Sequence, residues 1–230
     1  MLLLITILGM LSYFIPGLIV YFKKLWHDVN LRLICIYWML CGFINSIDLF
    51  GTFPSRAIEI FNVSYNFLVI PMVMLLLYIN TSSKLLKKCI LAGISVVVIF
   101  QVIGISTSGY IYDSLKYSLG VGVFLFLIFI FWEILRFFQN IAHTKRERRM
   151  LFIYIAMAFD YGSYLVIYYF EYYFPEQNAL VFRDTQLLYY ASAMIAMIIA
   201  SVGLLLNHSP SRKFDENLFT DKMEVRKGWN

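Results

Sequence analysis

The side chains best placed to do chemistry fall in one apolar stretch, RMLFIYIAMAFDYGSYLVIYYFEYYF, from Arg149 to Phe174. Asp160, Tyr164, Tyr168 and Glu171 follow one another there at spacings of four, four and three, which puts them on one face of a helix. Ser163 and Tyr161 stand beside the aspartate. In the other direction the same face continues as Met157, Ala156 and Ile153, so a polar seam leads away from Asp160 on one side and an apolar floor lies on the other. The stretch is long enough to cross a bilayer, and Asp160 is near its middle. A charge at that depth is costly and is kept for a ligand, a proton, an ion or a paired charge.

Other apolar runs carry groups that can face this seam. Asn45 and Asp48 are at i and i+3; Asn62, Tyr65 and Asn66 fall within little more than one turn; Gln186 and Tyr190 are one turn apart, with Ala193, Met197 and Ser201 continuing their face and Ser192 pointing elsewhere. Gln101 adds a further polar group. The expected ligand-binding set is therefore Asp160, Ser163, Tyr164, Asn45, Asp48, Asn62, Asn66, Gln186 and Tyr190, around a cavity in the outer half of a helical bundle. A purely structural account competes with this one. Interhelical hydrogen bonds between Asn, Ser and Tyr are ordinary glue worth about 0.6 to 2 kcal/mol each, and Tyr168, Tyr169, Tyr172 and Tyr173 lie where an aromatic interface belt belongs.

Several chemistries are excluded by residue type and spacing. The chain holds no HExxH, GxSxG or CxxC motif and no Walker-type glycine loop. A membrane aspartyl mechanism needs two carboxylates that meet, and Asp48 with Asp160 is the one deep pair, at differing expected depths. Cys35, Cys41 and Cys89 lie in apolar runs, and His27, His143 and His208 in three separate polar segments, so neither a disulfide framework nor a metal site is expected. The segment 185–206 contains no lysine, which removes a covalently held retinal. No cofactor is expected.

The elements that must position these groups follow from composition. Hydrophobic residues make up 61% of the 230 residues and charged residues 14%, far too little polar surface for a water-soluble domain. The apolar runs predict an all-α integral membrane protein with seven transmembrane helices, over about 2–22, 31–53, 61–79, 89–105, 115–138, 150–174 and 185–206, followed by a polar tail at 207–230. Pro16-Gly17 should kink the first helix, an uncleaved anchor, and Pro71 lies inside the third.

All but three of the 19 lysines and arginines, namely Arg56, Lys116 and Arg183, fall in alternate connections and the tail. Positive connections stay in the cytoplasm, so the N-terminus is expected outside and the C-terminus inside, in a plasma or cytoplasmic membrane. The formal charge of +5 thus marks topology, and no nucleic acid is expected. The basic connection before the sixth helix, with Lys145, Arg146, Arg148 and Arg149, suits anionic lipid or a cytoplasmic partner. RLICIY in the second helix matches RMLFIY in the sixth, and LLLYINTSSK after the third matches LLLNHSPSRK after the seventh, the outline of a 3+1+3 parallel repeat. Two functions remain in view: a small-ligand sensor or receptor-like module that signals through a separate partner, and, as the alternative, a secondary transporter of a small solute.

Overall fold

A computed structural model describes residues 2–47, 55–139, 143–173 and 178–206. Among these residues the regular structure is helical: α1 (Leu2–Ser12), α2 (Ile15–Phe22), α3 (Val29–Ile47), α4 (Ser55–Asn80), α5 (Lys84–Ser108), α6 (Lys116–Gln139), α7 (Lys145–Tyr173) and α8 (Asn178–Leu206), with short 3-10 turns at Leu25–His27 and Tyr112–Leu115. With α1 and α2 taken as one span, seven helices are long and apolar enough to cross a membrane. In lipid a helix is the natural solution for such runs, because it satisfies its own backbone hydrogen bonds.

The break in the first span falls just before Pro16. The proline has no N–H to offer the Ser12 carbonyl, and the chain tightens through Tyr13 and Phe14, where the Phe14 amide donates to the Leu11 carbonyl at 3.1 Å. α4, in contrast, runs through Pro71 without interruption.

Other helices start before their apolar runs do, because local caps rather than hydropathy begin them. At α7 the Thr144 amide donates to Glu147 Oε2 at 2.7 Å and the Glu147 amide to Thr144 Oγ1 at 3.2 Å, a reciprocal capping box that starts the helix five residues ahead of the predicted 150. Ser83 caps α5 by accepting from the Leu86 amide, and Asp28 caps α3 through the amides of Asn30 and Leu31. α4 and α8 likewise begin at Ser55 and Asn178, ahead of the predicted 61 and 185. The predicted end of the second helix, the start of the last connection and the tail at 207–230 involve residues outside the described set.

The helices close into a ring in the order α1/α2, α3, α4, α6, α7, α8 and back to α1, with α5 packed outside against α4 and α6. Only 22% of the apolar window of α5 is buried, against 39–44% for the other six spans, as its outside position requires. α6 shows how one helix serves both surroundings. Leu119, Val123, Phe126 and Ile130 are buried in the bundle, while Phe124, Ile128, Phe131 and Leu135 are exposed on the other side, the all-round apolar pattern of a helix with lipid on one face.

Chain reversals bring the lysines and arginines of the described residues largely to one end. There Arg146 Nε pairs with Asp28 Oδ2 at 3.5 Å, and Glu133 accepts from Thr81 Oγ1 at 2.9 Å while pairing with Arg136 at 3.6 Å. These contacts tie the α2–α3 and α4–α5 connections to α7 and α6. At the opposite end the backbone of α5 passes so close to the Tyr112–Leu115 turn that a Cβ on Gly104 would strike the Ser114 carbonyl oxygen.

Candidate functional site

A cavity of about 500 Å³ lies inside the ring, between mid-depth and the end opposite the basic cluster. That is within the volume range of small-molecule sites, roughly 300–1,000 Å³. α3 contributes Tyr37, Trp38, Cys41, Ile44 and Asn45; α4 contributes Ile58, Glu59, Asn62, Tyr65, Asn66, Val69 and Ile70. Asp160, Tyr161 and Tyr164 come from α7, Tyr189 from α8, and Tyr13 from the joint between α1 and α2.

The wall is built from helical spacing. Tyr37, Cys41, Ile44 and Asn45 recur at four, three and one residues on α3, and Asn62, Tyr65, Asn66 and Val69 at three, one and three on α4. Below it, toward the basic end, the bundle is filled by Val73, Met74, Leu77, Ile153, Met157 and Leu204, all buried. The cavity therefore has an apolar floor. At its other margin stands Glu59, which is exposed.

The polar groups of the wall bind one another across helices. The Tyr37 hydroxyl on α3 is hydrogen-bonded to the Tyr161 hydroxyl on α7. Tyr13 and Tyr189 bring their hydroxyls to 3.5 Å, and Asn45 Nδ2 donates to Tyr189 Oη at 3.3 Å. The rings of Tyr164 and Tyr189 meet edge to face with centroids 6.4 Å apart. Asn66 donates to the Asn62 carbonyl one turn back at 2.8 Å.

Asp160 differs from its neighbours. It lies within electrostatic reach of Tyr13, Cys41, Tyr161 and Tyr189, yet no salt bridge or hydrogen bond to its carboxylate is found among the described residues. Among the described residues no lysine, arginine or histidine lines the cavity, and Asp160 and Glu59 are the charged side chains on its wall. A single carboxylate set among ring faces and hydroxyls, with no basic group to neutralise it, can hold a cation or a proton and repels an anion.

Five of the residues singled out from the sequence, Asp160, Tyr164, Asn45, Asn62 and Asn66, stand together on this wall. The others do not. Ser163 lies roughly 60° around α7 from Asp160, on the flank away from α6, and is off the wall. Gln186 is exposed. Tyr190 is turned to α1, where its ring packs against Gly9, and its neighbour Tyr189 takes the cavity position. Asp48 falls outside the described residues, as does the side chain of Glu171. Tyr168 leaves the seam, because steps of four drift by about 40° each; its hydroxyl donates to the Lys116 carbonyl on α6. Gln101 is fully buried on α5, away from the cavity, and Ser192 is buried on α8.

The wall residues that had no place in the sequence-based set include Tyr13, Tyr37, Trp38, Tyr189 and the charged Glu59. For Tyr37 and Tyr189 a signal existed: Tyr37 precedes Cys41 and Asn45 at four-residue steps, and Tyr189 shares a face with Ala193, Ala196 and Ala200, all fully buried. Tyr13 owes its position to the proline break.

Among the described residues no three His, Cys, Asp or Glu side chains converge as a metal-binding group would. No protein-family model, curated protein or solved structure matches this chain. The site must be read from its own geometry.

Proposed function

We propose that this multi-pass membrane protein is a small-ligand sensor, a receptor-like module whose outward-facing cavity takes a ligand between α3, α4, α7 and α8. The single observation that carries the reading is Asp160, a carboxylate near the middle of a membrane span, on the wall of a cavity of about 500 Å³ and without an ion pair among the described residues. A carboxylate used only for packing would be found paired or satisfied.

The distribution of lysine and arginine supports an outward cavity, with the N-terminus outside, the C-terminus in the cytoplasm and the basic end facing inward in a plasma or cytoplasmic membrane. The apolar floor favours binding over passage. α7 supplies the link to the inside: it runs unbroken from Lys145 to Tyr173, carrying Asp160 and Tyr164 on the cavity wall and Arg146 and Arg148 at its inner end. A shift of α7 on ligand binding would be felt at Lys145, Arg146, Arg148 and Arg149, where anionic lipid or a cytoplasmic partner could read it.

A second reading, secondary transport, is favoured by two observations. The first span is broken at Tyr13, beside the cavity, as broken helices are in transporters. The sequence outline of a 3+1+3 parallel repeat, RLICIY against RMLFIY and LLLYINTSSK against LLLNHSPSRK, also suits this reading.

The deciding experiment uses the full chain. A library of small molecules of every charge class is screened by thermal shift in lipid nanodiscs, and hits are retested on Val69→Trp, which fills the cavity. Hits lost in that variant and not accumulated by proteoliposomes establish the sensor. Concentrative uptake would establish the transporter instead, and a screen without cavity-dependent hits would remove both.

A further inference from the structure

The charge and surface of the cavity wall define a ligand class, an inference that rests on the reading of the cavity as a ligand site. We infer that the cavity selects a small organic cation, an amine or quaternary ammonium compound, held between the Asp160 carboxylate and the aromatic faces of Tyr13, Tyr65, Tyr164, Tyr189 and Trp38.

The sign comes first. Among the described residues the wall carries two carboxylates and no basic side chain, so an anionic ligand would meet repulsion and a cation would supply a counter-charge to Asp160. Far from bulk water that counter-charge is felt strongly, since the interaction of two charges grows as the local dielectric falls. Exposed Glu59 at the margin adds to the potential that draws cations toward the opening.

Size and softness separate organic from inorganic cations. A space of about 500 Å³ is much larger than a bare metal ion and its ligand shell require. The described residues also form no group of three His, Cys, Asp or Glu side chains around Asp160. Aromatic rings instead supply much of the surface near the carboxylate, and ring faces attract weakly hydrated cations such as alkylammonium groups through their quadrupole. Several hydroxyls there are already engaged with each other: Tyr37 with Tyr161, and Tyr189 with Tyr13 and Asn45. They are fixed as walls. With those hydroxyls engaged, the rings suit a methylated or alkyl-bearing head better than one needing many hydrogen bonds.

Full-length protein in nanodiscs would be titrated with choline, tetramethylammonium and phenethylamine. The controls are 3,3-dimethylbutan-1-ol, the uncharged isostere of choline, sodium acetate, and sodium chloride at matched ionic strength; binding is read by calorimetry and thermal shift. At least one organic cation should bind saturably and at least tenfold tighter than the isostere, while the two sodium salts give no saturable signal. Asp160→Asn should lose tenfold or more for cations and leave the isostere unchanged. Tyr65→Phe should keep the affinity and Tyr65→Leu lose severalfold, a pair that tests the ring independently should the aspartate variant fold poorly. Equal binding of the isostere, a saturable response to sodium alone, or cation affinity preserved in Asp160→Asn would overturn the inference. Absence of binding by all three cations would do the same. If the broad screen meanwhile yields neutral or anionic ligands that vanish in Val69→Trp, the cation inference falls and the ligand site stands; if it yields none, both fall together.

Discussion

The hydroxyl of Tyr37 on α3 is hydrogen-bonded to the hydroxyl of Tyr161 on α7 across the inside of the bundle, joining helices that are not neighbours in the ring. The ring of Tyr161 is held from the other side by Phe126 of α6, edge to face with centroids 4.8 Å apart. Three helices are thus fixed at the depth of Asp160. Tyr37→Phe and Tyr161→Phe should each lower stability by about 0.5–1.5 kcal/mol, and the double variant by little more than either single one, because the first change already leaves a buried hydroxyl unpartnered. Reversible unfolding of the four proteins in mixed micelles gives the coupling directly. Additive losses would mean that the bond contributes nothing.

Asp160 is the reverse case, a carboxylate inside the bundle with no ion pair among the described residues. Asp160→Asn should raise the stability of the ligand-free protein by roughly 1–3 kcal/mol while abolishing ligand-induced stabilisation. Melting of both proteins with and without ligand is the measurement. A ligand-free variant less stable than the wild type would show that the carboxylate has a structural partner.

Two glycines with different surroundings make a paired test. At Gly104 an added Cβ meets the Ser114 carbonyl oxygen, a backbone atom that cannot rotate away, whereas at Gly162 nothing lies within 4 Å. Gly104→Ala should therefore cost at least 1 to 3 kcal/mol, on the order of overpacking in a core. Gly162→Ala should be neutral or stabilising by up to about 1 kcal/mol, because alanine is the better helix former.

At the basic end Asp28 performs two tasks and Arg146 one. Asp28 caps α3 and pairs with Arg146, which is itself 54% exposed. Asp28→Ala should cost about 1–2 kcal/mol, and Arg146→Ala no more than about 1 kcal/mol, as expected of an exposed pair. Thermal melting at low and high salt separates them, since only the ion-pair part is screened.

The proposed orientation can be checked without a ligand. In a variant with Cys35, Cys41 and Cys89 replaced, Tyr110→Cys should react in intact cells with a membrane-impermeant maleimide, and Lys84→Cys only after permeabilisation. The opposite pattern would invert the topology and turn the cavity toward the cytoplasm.

The seven spans were legible because apolar runs of membrane length have few alternatives in lipid. Their ends were less so. Hydropathy marks where lipid begins, but α7 starts where Thr144 and Glu147 cap it, and those residues are polar by necessity. At the site, polar groups inside apolar text stood out, which is how Asp160, Asn45, Asn62 and Asn66 could be found. The tyrosines were harder. A tyrosine serves equally as a belt residue, a core residue or a wall, and the choice depends on a rotation of about 100° per residue. Counting the last span from Gln186 selected Tyr190; the face that packs is set deeper, by Ala193, Ala196 and Ala200, and it brings Tyr189 to the cavity.

Tyr13 belongs to neither rod of the first span. It sits in the joint between α1 and α2, buried against the bundle, with its hydroxyl near that of Tyr189. The joint between the two rods therefore sets where this ring stands, so a hinge of the first span is also part of the chamber wall. A tilt of α1 against α2 would move the Tyr13 ring and with it the wall that the chamber shares with Asp160.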